Sequence, residues 1–425
     1  MGECLFYIEL SFLFLSTACL LVNLSGQLNI IKVNKSILKW SRRKFINGIT
    51  GAGAAITLSP LLSFAAIEDD PRVDAIVAKT IGTDTHNHID VPLSASELPG
   101  PTVDLAGEMK KSGLSAICMT FAVDYQPLRN PGDAYDRFVN GFNAMDKILE
   151  SNNMNRSLNL ADIRSAHDKK IPTVVQSVEG GHFLEGHLDR LGMAYGRGLR
   201  QLGLLHDHDA SVPLGDVYTN PPQYGGLTPF GSDVIKECNR LGILIDLTHA
   251  SNTTIDAALK LSTKPMIISH TGLDTQLGQN AQMANMMRPR LISKEQAKIV
   301  ADAGGVIGIW THLSDTPLEY AQNIKALVDV VGIDHVCIGT DTKMTPAYRS
   351  PDASDPKPAA APPSGGNNNR GRIGERTNEA WADQKVGFYY AVVDAMLKTG
   401  FTEDEIGKIG GGNFCRIFDE ATKDH

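Results

Sequence analysis

A closed α/β barrel of eight strand–helix units is the fold this sequence predicts, and three observations predict it. Short runs rich in Val, Ile and Leu recur from residue 80 onward, amphipathic stretches separate them, and His, Glu or Asp stands at the C-terminal end of most runs. The first two are the mark of βα units around a parallel sheet. The third selects a (β/α)8 barrel of the TIM type over a doubly wound open sheet, because in a ring all the strand ends meet at one rim.

The eight runs fall at 81–88, 115–123, 173–179, 198–206, 243–249, 266–270, 305–312 and 335–341, and helices are expected at about 103–112, 134–150, 160–169, 230–241, 252–262, 293–303, 317–331 and 380–399. Residues 345–379 break the pattern with a Pro-, Gly- and Asn-rich stretch that cannot form a core, and read as a long, flexible loop after the last strand. The barrel domain is expected over 67–425, and 1–66 is an N-terminal extension of different character.

Within that extension, Ser41-Arg42-Arg43-Lys44-Phe45-Ile46 precedes a Gly/Ala-rich apolar stretch, and Ser63-Phe64-Ala65 supplies small residues before a cleavage point. This looks like a twin-arginine signal peptide. It implies the twin-arginine export machinery as a partner and a periplasmic destination. Residues 10–24 form a second apolar run, shorter than the ~20 residues that span a bilayer; an over-extended start or an extra membrane anchor would each explain it. The remaining composition excludes other classes. With 40 Lys+Arg against 48 Asp+Glu, the chain has no basic excess to track nucleic acid. Six cysteines without C-x-x-C spacing are no disulfide scaffold, and Cys118, Cys238, Cys337 and Cys415 read as buried, inert thiols.

The chemistry lies at the strand ends. His86 and His88 project from the same face of one strand, because side chains alternate with period two. Glu179, His249 and His270 end the third, fifth and sixth runs. Taken singly, each histidine is most simply a hydrogen-bonded core or rim residue. Four histidines with one carboxylate, at matching strand ends, can hold two divalent ions if the carboxylate bridges them, leaving room for a shared water. His182, His187, His208 and His312 are less well placed and read as outer or surface groups, and His167 as solvent-exposed.

Several segments in order resemble the renal (membrane) dipeptidase family of zinc metallopeptidases, within the amidohydrolase-like barrels, over about residues 80–420. They are Asp84-Thr85-His86-Asn87, Val178-Glu179-Gly180-Gly181-His182, Gly198-Leu199-Arg200 with Leu204-Leu205-His206, Ile245-Asp246-Leu247-Thr248-His249, Ile268-Ser269-His270, Ile338-Gly339-Thr340-Asp341 and Gly411-Gly412-Asn413-Phe414. The resemblance implies a metallo-dipeptidase with two zinc ions. Glu179 would bridge them, His86 and His88 would hold the first, and His249 and His270 the second. His206 would bind substrate and steady the oxyanion. Arg290 would pair with the substrate's free carboxylate, with Arg288 as a rival, and Asp341 would carry the proton between attacking water and departing amine. Asn413 would start the last helix. Homodimers are common in the family.

The chain departs from the family at two places. His88 stands where the family has aspartate, which removes one negative charge from the first site; Asp90 is a fallback ligand beyond the strand's rim. Thr342-Lys343-Met344 replaces the family's Phe-Asp-Gly after Asp341, in a loop that sets substrate choice. Two other readings stay open: the same dinuclear centre acting on another small amide, lactone, β-lactam or phosphoester, or a catalytically silent metal-binding barrel.

Overall fold

The polar segment Thr83–His88 forms strand β1, with all six residues buried. Burial of so polar a strand calls for partners, and most of its groups find them: Asp84 accepts from Thr340 and Asn87, Thr85 Oγ1 donates to the Ser269 carbonyl and Asn87 donates to Thr377 Oγ1, whereas Thr83 Oγ1 has no partner among the described residues. In the computed structural model, which describes residues 7–8, 18–22, 28–32, 70–349 and 373–423, β1 is followed by β2 (Ala116–Ala122), β3 (Thr173–Glu179), β4 (Leu199–Gly203), β5 (Leu244–Asp246), β6 (Ile267–Thr271), β7 (Val306–Ile309), β8 (Val336–Ile338) and the two-residue β9 (Thr342–Lys343). Each of β1 to β7 pairs in parallel with the next. β2 to β8 are buried on both faces, which is why, unlike β1, they read largely as apolar runs.

The ring closes in an unusual way. β9 pairs in parallel with β1, Thr342 opposite Asn87 and Lys343 opposite His88. Thus the eighth strand lies against β7 before a break at residues 339–341 and against β1 after it. Across the break, Thr85 Oγ1 donates to the Ile338 carbonyl at 3.0 Å, Thr340 N to Asp84 Oδ1 at 2.8 Å, and Asp341 N to the His86 carbonyl at 3.1 Å. The long loop that follows is stitched at its base. Lys343 N donates to the Glu375 carbonyl at 2.9 Å, Thr342 and Thr377 hydroxyls meet at 2.8 Å, and Arg376 Nη2 donates to the Met344 carbonyl at 2.8 Å. Residues 350–372 of that loop lie outside the described residues.

Local signals explain the helices. Thr228, Ser251, Ser293 and Thr316 each cap a helix by accepting a backbone N–H from three residues on, and Pro229 and Pro317 occupy first-turn positions where no N–H is needed. Seven of the expected helices appear within two residues of their expected bounds. The eighth is shorter: it runs Phe388–Thr399 rather than from 380. Residues 380–387 instead form an irregular turn in which Gln384 Oε1 accepts the Ala380 N–H and buried Trp381 donates to the Ser314 carbonyl. Asn413 does begin the last helix, Asn413–Thr422. Its Phe414, Cys415, Ile417 and Phe418 pack against Ala116, Leu244, Ile267 and Val306, the first residues of their strands. Burying each large side chain there contributes roughly 1.5–3 kcal/mol. The helix plugs the N-terminal end of the barrel, so the C-terminal rim is left as its mouth.

All four barrel cysteines are buried and unpaired, and burial pushes their thiols well up, to about 12 for Cys337 and Cys415. His167 is half-buried, not solvent-exposed as expected, because its Nδ1 lies 2.8 Å from the Ser115 hydroxyl. The first 68 residues form a separate unit. In it, Ala18–Val22 pairs antiparallel with Tyr7–Ile8 and with Leu28–Lys32. The twin-arginine and cleavage segments, 41–66, lie outside the described residues. Among the described residues no helix is long and apolar enough to cross a membrane.

Candidate metal centre

Glu179, the last residue of β3, is the hub of the barrel's mouth. Its side chain is 3% exposed, and the residue after it must be glycine: Gly180 has φ +85°, and a side chain there would collide with the His182 ring and the β-carbon of His206. Five imidazoles surround the Glu179 carboxylate. Around Oε1 stand His249 Nε2 at 2.9 Å, His86 Nε2 at 3.5 Å and His270 Nε2 at 3.7 Å. Facing Oε2 are His206 Nε2 at 3.4 Å and His88 Nε2 at 3.7 Å. His86 and His88, on the one strand, bring their Nε2 atoms within 3.2 Å of each other.

Asp341 completes the cluster from the break in the eighth strand. Its Oδ1 is 3.0 Å from His88 Nε2, and its Oδ2 is 2.8 Å from His312 Nε2. Both Asp341 (φ +56°) and His249 (φ +68°) hold left-handed backbone. Asp and His tolerate that region better than most residues, yet it still costs energy, and such strain concentrates at functional sites. Three sets of donor atoms lie close enough for a shared ion: His86 with His88 and Glu179, Glu179 with His206 and His249, and His86 with His270 and Asp341. The first is the set expected for one site. The second brings in His206, which the sequence reading gave to substrate, and leaves His270 nearer His86 and Asp341.

The charge states suit a metal. Burial raises the Glu179 carboxyl, but the imidazoles around it, His206 and His86 foremost, outweigh that and hold it well below the usual carboxylate range. Asp341 is likewise held well below, with burial overcome by His270, His312 and His88. His86 and His270 are pushed down by burial and so stay neutral, with lone pairs to offer. His88 and His249 are raised despite burial, by Asp341 and by Asp207 with Glu179 respectively, and must give up a proton to ligate; ionised carboxylates facing imidazoles are the donor set of a zinc-type site. The decisive atom is Glu179 Oε2, which is buried and has no hydrogen-bond partner. A buried, ionised oxygen left unpaired costs several kcal/mol, and a bound cation would satisfy it.

An outer layer of partners orients these rings, as it does in metal sites generally. Asp246 accepts from Ser269 Oγ at 2.5 Å, and that hydroxyl lies 3.0 Å from His270 Nδ1 and 3.2 Å from His86 Nδ1. Tyr125 Oη is 2.8 Å from His88 Nδ1. Asp207 Oδ1 lies 3.0 Å from His249 Nδ1 and accepts from Tyr218 at 2.7 Å, while its Oδ2 accepts from Arg290 Nη2 at 2.6 Å. Arg290 lines the mouth, a cavity of about 1010 Å³ shared with Glu179, His206 and Asp341. Arg288, the rival, is exposed and does not line it. Asp90 also lines the mouth but belongs to none of the donor sets; Lys343 Nζ lies 3.6 Å from it.

All eight residues singled out in the sequence therefore meet at one rim. Sequence reasoning missed Asp124, Tyr125, Asp207, Tyr218, Asp246 and Ser269. Asp124 and Tyr125 directly follow the second apolar run, so the strand-end rule could have found them. Asp207 likewise follows the fourth run, but its pairing with Arg290, 83 residues away, leaves no local signal.

Fold and site together define a metal-dependent hydrolase on an α/β barrel. The chain matches the membrane dipeptidase family over residues 71–352. A Klebsiella pneumoniae relative, the uncharacterized protein in pqqA 5'region, is 26% identical over 227 residues, 50% of this chain and 80% of that one. Human dipeptidase 3 is 23% identical over 306 residues, 68% of this chain and 51% of its own, so the chain spans about half that protein's length. Among solved structures, an amidohydrolase from Pseudomonas aeruginosa aligns with a TM-score of 0.63 at 22% identity, covering 83% of this chain and 99% of that one. A metallo peptidase from Rhodobacter sphaeroides, liganded with a phosphinate mimic of the dipeptide L-Ala-D-Ala, aligns at 0.58 and 18% identity, covering 80% and 99%. These structural likenesses establish the fold. The chain belongs to the membrane dipeptidase family, peptidase family M19.

Proposed function

We propose that this protein hydrolyses the amide bond of dipeptides, or of similarly small substrates with a free carboxylate, at a centre of two zinc ions. The observation that carries this reading is the orphaned Glu179 Oε2 ringed by imidazole nitrogens, with a guanidinium on the same mouth. Glu179 would bridge the ions, His86 and His88 completing one site and His249 and His270 the other. When bound, the ions would supply a bridging hydroxide near neutral pH and polarise the scissile carbonyl.

The chain's own residues do the remainder. The Arg290 fork binds the substrate's carboxylate, having N–H groups to spare beyond the one given to Asp207. His206 Nε2 faces the reacting carbonyl and steadies charge on its oxygen. Asp341, held between His88 and His312, takes a proton from the nucleophile and returns it to the leaving amine. His88 makes the first site one negative charge poorer than an aspartate would. The twin-arginine segment supports export of the folded protein to the periplasm, with residues 10–24 as a further anchor if retained.

Elemental analysis of the purified protein beside a dipeptide panel, with and without chelator, tests this reading. Two zinc ions per chain and chelator-sensitive cleavage are expected. Turnover of uncharged esters or lactones with no dipeptide cleaved would assign another hydrolysis to the same centre. Metal without turnover on any amide would overturn the peptidase reading.

A further inference from the structure

Asp124 is a buried charge for which the mechanism above has no use. It lies two residues past β2, is 4% exposed, and belongs to none of the three donor sets. Its Oδ1 lies 2.6 Å from His206 Nδ1. Its Oδ2 lies 3.1 Å from His208 Nδ1 and 3.7 Å from His182 Nε2, and His182 Nε2 is tethered in turn 2.8 Å from the His208 carbonyl oxygen. The carboxylate is therefore gripped at both oxygens and cannot swing away. With Nδ1 so engaged, His206 has one nitrogen left, and that Nε2 is turned toward the mouth, 3.4 Å from Glu179 Oε2. The His249 and Tyr125 rings stand edge-on to His206, at centroid distances of 4.7 Å and 5.9 Å, and limit its rotation.

We infer that Asp124 is a positioning residue for His206: it accepts the Nδ1–H, and so fixes the tautomer and ring rotation that present Nε2 to the substrate's carbonyl oxygen. The inference rests on the substrate role proposed for His206. A carboxylate at this distance makes a strong, charge-assisted hydrogen bond. In serine-protease triads an aspartate behind the histidine plays the same orienting part, and replacing it with asparagine lowers kcat about 10⁴-fold. Here the ions would share the stabilisation of the oxyanion, so a smaller loss is expected.

The test compares Asp124→Asn, His206→Ala and the double variant on the dipeptide that the wild type cleaves best. Asp124→Asn, isosteric with the native residue, is expected to lower kcat about 10²–10³-fold with KM within about threefold, the pattern of a contact made in the transition state. Metal per chain and melting temperature stay at wild-type values. The double variant is expected to be no slower than His206→Ala alone, because the two residues act as one unit. His208→Ala removes a grip from the exposed side of the carboxylate without disturbing the core, and is expected to lower kcat about three- to tenfold. A kcat within threefold of wild type in Asp124→Asn, or losses that multiply in the double variant, would overturn the inference while leaving the peptidase reading intact. So would loss of bound metal in Asp124→Asn, since His206 would then be a ligand. A wild type that neither cleaves any dipeptide nor binds a phosphinate dipeptide mimic would remove the peptidase reading, and this inference with it.

Discussion

His249 is gripped at both ring nitrogens, by Glu179 on one side and Asp207 on the other, and this makes metal uptake a proton-release reaction. Burial alone would keep the ring neutral, but hydrogen bonds to Asp207 and Glu179 lift it from 6.5 to about 10 in the metal-free protein. To ligate, the ring must lose the proton on Nε2. At pH 7, three pH units below that value, the displacement costs on the order of 4 kcal/mol of binding free energy. Apparent metal affinity should therefore rise about tenfold per pH unit between pH 7 and 9 and level off above about 10. Because the folded value lies above the unfolded one, the same pair of bonds stabilises the metal-free fold fully below pH 6.5, and that contribution is lost as pH rises through about 10. Asp207→Asn removes one of the two carboxylates and should shrink both the proton release and the pH slope. Isothermal titration of zinc into chelator-stripped protein, in buffers of different ionisation enthalpy at pH 7, 8 and 9, counts the protons. Protons lost from water at the ions are common to both proteins, so the difference isolates His249. Equal proton counts in wild type and variant, or an affinity flat from pH 7 to 9, would refute the reasoning.

Arg290→Ala should raise KM about 10–100-fold for dipeptides with a free carboxylate and leave their C-terminal amides unaffected, as loss of a charged fork predicts; equal losses on both would exclude Arg290 as the anchor. Gly180→Ala should cost about 1–3 kcal/mol, through left-handed backbone and collision with His182 and His206; an unchanged melting temperature would count against it. Replacing Arg42 and Arg43 together by lysine should hold the precursor in the cytoplasm, as fractionation and blotting would reveal. Normal export of that variant would dismiss the twin-arginine assignment.

The sequence made the barrel legible because its strands are buried on both faces, and β3 was read at its true limits, Thr173–Glu179. Four other runs overshot. The expected 198–206, 243–249, 305–312 and 335–341 end as ladders at Gly203, Asp246, Ile309 and Ile338. Apolar pattern reports burial, and Leu204, Leu205 and Leu247 stay buried after strand pairing has stopped. His206, His249, His312 and Asp341 sit on the turns just past the ladders, where the chain is free to aim them. The outer carboxylates were harder to see. Asp207 joins His249 and Arg290, 42 and 83 residues away, a relationship that no periodicity encodes. Helix plugging of the barrel's base was equally invisible, since Phe414 and Ile417 look like any amphipathic stripe.

The stitched base beneath the long insertion has a further consequence. Lys343 and Glu375, Thr342 and Thr377, and Met344 and Arg376 hold the departing and returning strands together within a few residues of Asp341. These contacts fasten the base of the insertion beside Asp341, so the geometry there does not depend on the span between residues 349 and 373. Closing such a span costs little that depends on its length, about 0.6 kcal/mol per doubling. The barrel thus offers a socket in which a rim ornament can be lengthened, trimmed or exchanged while the chemistry beside it keeps its alignment.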